Sequence, residues 1–163
     1  MNRIIALLTM AASIGLTPGT AVAQTAKDLV GTWMLVANVN VSQNGTRTDA
    51  FGPNPKGILI FDSNGHYASV TARSDLRKFA SGNRNTGTPE ENKGVVMGSF
   101  SHYGTYSVAD KTITLKVEAS SWPSWTGADQ KRTILSFTPD EFKWTVPAAS
   151  IGGSGEVSWR RVK

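Results

Sequence analysis

Between residues 111 and 119 the chain reads KTITLKVEA, where Ile113, Leu115 and Val117 alternate with Thr112, Thr114, Lys116 and Glu118. Period two over this length predicts a strand with one face packed and one face in water. The pattern recurs at 141–147, with Phe142, Trp144 and Val146 on one face. It recurs again at 155–162, where Val157, Trp159 and Arg161 face together. Turn signals separate the runs. Asn44-Gly45 and Asn64-Gly65 tolerate the positive φ of a tight hairpin turn. Asp110 and Pro139-Asp140 mark two more turns. The chain is thus expected to form eight strands, at 30–41, 56–62, 66–73, 103–109, 111–119, 130–137, 141–147 and 155–162.

One stretch departs from this period. Thr88, Pro89 and Glu91 have the spacing of an N-cap, a first-turn proline and a capping-box acid. They predict a short helix over 89–100, between the third and fourth strands. The polar loop 74–87 precedes it, with Phe79 as its candidate for burial. The expected fold is all-β: an eight-stranded antiparallel up-and-down barrel, whose closure removes exposed strand edges. An eight-stranded barrel is either packed solid or holds one small ligand.

The first residues follow a different pattern. Arg3, an apolar run at 4–14 and the small-residue triplet Ala21-Val22-Ala23 predict a signal peptide over 1–23. The apolar run is too short to span a bilayer. Cleavage after Ala23 would leave a barrel domain at 24–163, exported to the periplasm or beyond. The chain has no cysteine, so neither a disulfide nor a lipid on a cysteine is available. The domain must be held by burial alone, which its length permits.

The formal charge is +5, and loss of Arg3 with the leader leaves 16 Lys and Arg against 12 Asp and Glu, or +4. The basic residues form no dense run. The nearest to a cluster is Arg73, Arg77, Lys78 and Arg84. Neither nucleic-acid binding nor stable membrane insertion is expected.

Four motifs occur in order. Gly31-Thr32-Trp33 opens the first strand, FGPNPKGILIF spans 51–61, YGTYSV spans 103–108, and SWPSWTGADQKR spans 121–132. Together they resemble the lipocalin-like domain family of small bacterial and fungal proteins. Tyr103 stands where that family more often has Phe. The resemblance covers nearly all of 24–163 and implies a lipocalin-type barrel with an internal pocket. It also implies a structural role for Gly31 and Trp33, with Trp33 closing the floor beneath an arginine. Arg161 on the last strand is the candidate partner, and Arg132 is its rival. Trp33 shares a face with Leu35 and Val39, the expected interior.

The candidate ligand-binding residues are Tyr67, Arg73, Phe79, Tyr103, Tyr106, Trp122, Trp125 and Arg132. Aromatic walls with a few polar groups suit a small apolar or amphipathic molecule, and Arg73 is placed to meet a ligand carboxylate. Within the 120–132 segment, Trp125 is expected to plug the core and Trp122 to form a lip. Phe51 is expected to tuck into the core, or alternatively to wall the barrel mouth. His66 and His102 lack the neighbours a metal site needs, and no cofactor is expected. The leading expectation is a carrier of a small, mainly apolar ligand. An acid–base enzyme of the isomerase or cyclase type, using His102, Tyr103 and Arg132, is the alternative. A filled structural barrel is the third.

Overall fold

Nine strands, two helices and two 3-10 turns make up the computed structural model, which describes residues 25–163. The leader expected at 1–23 lies outside the described residues. The strands are β1 (Gly31–Val41), β2 (Arg47–Asp49), β3 (Lys56–Phe61), β4 (His66–Ala72), β5 (Ser99–Ala109), β6 (Thr112–Ser120), β7 (Asp129–Phe137), β8 (Glu141–Val146) and β9 (Ser154–Arg161). Helix α1 is Ala26–Leu29 and α2 is Pro89–Gly98. Each strand pairs antiparallel with its neighbour in the order β2-β1-β3-β4-β5-β6-β7-β8-β9, and β1 also pairs with β9. Eight strands therefore close a barrel. β2 is an outlying hairpin strand on the upper part of β1, pairing Val39 with Asp49 and Val41 with Arg47.

The extra strand shifts the count, so α2 lies between β4 and β5 rather than between the third and fourth strands. Its start follows the expected chemistry. The Glu91 N–H donates to Thr88 Oγ1 at 3.2 Å, and the Thr88 N–H donates to Glu91 Oε2 at 2.8 Å. Its end comes two residues early, because β5 begins at Ser99. In β5 the even residues Phe100, His102, Gly104, Tyr106 and Val108 continue one face, and strand pairing to β4 wins that segment.

One end of the barrel is shut. Trp33 and Leu59 are wholly buried there, with Phe61 and Phe142 beside them. The Trp33 ring meets Phe142 edge to face at 4.6 Å, and its Nε1 donates to the Leu29 carbonyl at 2.8 Å. Arg161, not Arg132, covers the indole, with its guanidinium carbon 4.0 Å from the ring centroid. The guanidinium donates at 2.6 Å to the carbonyls of Val30, Asp28 and Pro139, tying the last strand to the first. Gly31 makes this possible. Its φ is +132°, and a Cβ there would lie 2.7 Å from Arg161 Nη1.

Bulges break the simple alternation. In β1 the pairing with β9 steps from Leu35–Trp159 to Ala37–Ser158, leaving Val36 unpaired and exposed. Beyond it the inward face changes from odd to even positions. Val39, expected inside, gives way to Asn38 and Asn40. A second bulge steps β6 between Val117 and Ala119, and a third steps β7 between Ile134 and Ser136. The third returns Phe137 to the core.

Candidate functional site

The end of the barrel opposite Trp33 holds a cavity of about 90 Å³. Strand faces that are apolar at the floor turn partly polar here. β4 runs Tyr67, Ser69, Thr71 inward, and β1 brings Asn38 and Asn40 after its bulge. β8 and β9 supply Trp144, Val157 and Trp159. The rim comes from connections: Phe51, Met97 at the end of α2, Trp125 in the 3-10 turn Pro123–Trp125, and Ile151. Phe51 thus walls the mouth rather than filling the core.

Arg132 lies in this wall, opposite Ile113 on β6 and only 2% exposed. Its guanidinium carbon is 5.1 Å from the centroid of the Trp125 ring, and Nη1 donates to the Lys131 carbonyl at 2.8 Å. Among the described residues no carboxylate pairs with it. Burial lowers its pKa to about 10, so it remains a cation at neutral pH. The indole face offsets part of its desolvation. A buried charge without a counter-ion is costly, and in a cavity wall it makes Arg132 a candidate ligand contact.

His102 lines the same wall and is 9% exposed. Its ring is held between Phe100 at 5.3 Å, Trp125 at 5.6 Å and Tyr67 at 5.3 Å. Its Nδ1 lies 2.9 Å from the Tyr67 hydroxyl. Burial, helped by the charge of Arg132, lowers its pKa to about 3, so the imidazole is neutral. Burial also holds the Tyr67 phenol protonated well above its ordinary range. The indole Nε1 atoms of Trp144 and Trp159 have under 1 Å² exposed and no hydrogen-bond partner among the described residues. Their rings meet edge to face at 5.9 Å, and they act here as apolar wall. Among the described residues no three His, Asp or Glu side chains group as a metal site.

The expected site residues separate. Trp125 and Arg132 meet at the cavity. Tyr67 faces inward but sits in the core beneath it, reaching the cavity only through His102. Tyr106 is buried at the closed end, where its hydroxyl donates to the Asp62 carbonyl at 3.0 Å. Tyr103 is 53% exposed, because His102 and Gly104 on either side take the inward face of β5. The trio of His102, Tyr103 and Arg132 therefore does not converge. Arg73 is absent from the cavity wall: its Nε donates to Asp75 Oδ1 at 2.8 Å, in a surface cleft beside α2. Phe79 packs against Gly87 in the loop before α2. The two tryptophans depart from the expected division. Trp125 forms the lip, and Trp122, at 40% exposure, stands outside the cavity. Sequence reasoning missed Asn38 and Asn40 because a bulge carries no clear sequence signal. Phe100 shares the inward face of β5 with Tyr106, and that alternation is its sequence signal.

A closed eight-strand antiparallel barrel, shut at one end and hollow at the other, defines a lipocalin-type architecture. The chain belongs to the lipocalin-like domain family, whose model matches residues 30–162. Among solved structures the chain is similar to a redesigned β-barrel, with 15% identity, 88% of this chain and 100% of that chain covered, and a TM-score of 0.45. A de novo designed fluorescence-activating β-barrel matches at 16% identity, with coverage of 84% and 96% and a TM-score of 0.42. A redesigned barrel bound to DFHBI matches at 19% identity, with coverage of 84% and 98% and a TM-score of 0.41. Comparison with curated proteins gives no match.

Proposed function

We propose that this barrel binds a small amphipathic molecule, with an apolar body among the cavity aromatics and an anionic end at Arg132. Membership of a family of small-molecule-binding barrels supports the class of activity. The observation that carries the anionic end is Arg132 itself, 2% exposed in the cavity wall without an acidic partner. A ligand carboxylate would supply the counter-charge through paired N–H donors. The volume of about 90 Å³ is below the ~150 Å³ of an apolar cavity that admits benzene. A chain that protrudes through the mouth suits this space, and a ring would have to sit partly in the mouth. Acid–base catalysis is less well supported, since an imidazole that stays neutral to about pH 3 is a weak base at neutral pH.

The test is titration of intrinsic tryptophan fluorescence with benzoate and octanoate against benzamide and octanol. The acids are expected to bind at least ~10-fold more tightly, as a charge-assisted hydrogen bond implies. Equal binding of the neutral compounds would remove the anionic end from the reading. Native mass spectrometry of the protein from its own host would show whether a small acid accompanies it. We also propose export, on the strength of the leader pattern over 1–23. Sequencing of the mature N-terminus should then begin at Gln24, and a retained Met1 would overturn it.

A further inference from the structure

His102 lines the cavity, whereas Tyr67, which meets its Nδ1, lies in the core below. The edge of the ring nearest Tyr67 is therefore the inner one, and Nε2 is the nitrogen left toward the cavity. The direction of the Tyr67 hydrogen bond decides what Nε2 carries. A buried phenol must donate its proton, and His102 Nδ1 is the partner of the Tyr67 hydroxyl among the described residues. If Nδ1–H were the donor instead, the phenol proton would have no acceptor in a packed core. With the hydroxyl donating, Nδ1 is the acceptor and the ring proton sits on Nε2.

We propose that Tyr67 fixes the tautomer of His102 so that its Nε2–H faces the cavity as a second donor to the anion that Arg132 attracts. This rests on the anion-binding reading above and narrows it. One cation and one neutral donor on a shared wall suit a monoanion with two acceptor oxygens, that is, a carboxylate. A phosphate monoester dianion would leave one negative charge unmatched in the cavity. His102 is then a ligand-contacting residue, and Tyr67 is a positioning residue acting through it. Phe100 and Trp125 support the same arrangement by holding the ring plane from either side.

The experiment combines a spectroscopic and a binding arm on the full chain. Long-range 1H–15N spectra of the 15N-labelled free protein at neutral pH should show His102 protonated on Nε2 and bare on Nδ1. In Tyr67→Phe the preference should weaken, with both tautomers visible. In the binding arm, benzoate and phenyl phosphate are the probes. His102→Gln, whose amide can donate from the position of Nε2, should bind benzoate within ~3-fold of wild type. His102→Leu should bind it at least ~10-fold more weakly. Phenyl phosphate should bind more weakly than benzoate. A proton on Nδ1 in the free protein overturns the proposal even if benzoate binds. Equal benzoate affinity in His102→Leu overturns it as well. If wild type binds neither probe while Nε2 carries the proton, the anion-binding reading fails and the tautomer assignment stands.

Discussion

Arg161 lies over Trp33, its guanidinium carbon 4.0 Å from the indole centroid, and the pair seals the closed end of the barrel. The indole is wholly buried, and each guanidinium nitrogen donates to a backbone carbonyl. Trp33→Ala is expected to cost about 3–5 kcal/mol, the range for losing a buried aromatic. Gly31→Ala should cost about 1–3 kcal/mol, because it imposes a strained φ and displaces Arg161. Urea unfolding measures both. A loss under ~1 kcal/mol for Trp33→Ala would show that the floor does not depend on this ring.

Arg132 should behave in the opposite way. Its charge is buried without a counter-ion, so an apolar residue of similar length relieves a desolvation penalty. Arg132→Met is expected to unfold at the same temperature as wild type or higher, while losing at least ~10-fold in benzoate affinity. Stability and binding are thus set against each other at one position. Thermal melts alongside fluorescence titration test this, and a strongly destabilised Arg132→Met would mean that the guanidinium is structural.

Acid should weaken the fold through His102. Its pKa is about 3 in the folded chain against an ordinary value of 6.5. Above 6.5 both states are neutral and the group has no effect. Between these values the unfolded chain takes up a proton that the folded chain refuses. Stability therefore falls as pH falls, by up to ~1.4 kcal/mol per unit, and levels off below the folded value. The lowered carboxylates of Asp28, Asp62, Asp75, Glu91 and Glu156 act in the same direction as they protonate. The informative quantity is the difference between wild type and His102→Gln in urea midpoint at about pH 5 to 6.5, above the ordinary carboxylate range. Identical slopes would show that His102 titrates normally.

Gly104 is a packing constraint. A Cβ there would collide with the Lys116 carbonyl and lie 2.9 Å from the Glu118 nitrogen, both backbone atoms of β6. Backbone cannot swing aside as a side chain can, so Gly104→Ala should cost ~3 kcal/mol or more. Chemical denaturation checks it, and near wild-type stability would imply that β5 and β6 sit farther apart at the bulge.

Much of the barrel was legible in the chain. The faces of β6, β8 and β9 follow period two, and the Thr88–Glu91 capping box places the start of α2 correctly. Lipocalin-like motifs led to Trp33 and Arg161 as floor residues. The cavity was far less legible. Tyr103 is aromatic and is expected in the pocket, but His102 and Gly104 on either side own the inward face. Arg73 is expected to meet a ligand carboxylate, but Asp75, two residues on, takes its guanidinium. Trp122 and Trp125 have the same side chain, and only the turn at Pro123–Trp125 determines which one reaches the mouth. β2 was missed because three exposed polar residues carry no periodic signal.

The unpaired Val36 divides β1 into two half-strands with separate duties. Below it, Trp33 and Leu35 are answerable to the fold. Above it, Asn38 and Asn40 face a chamber where the fold makes few demands. One extra residue in the ladder thus lets the chamber's chemistry vary without disturbing the foundation. Deleting Val36 would be expected to make the ladder regular while Ala37 keeps Ser158 and Asn38 keeps Val157 as partners, so both asparagines would still face the chamber.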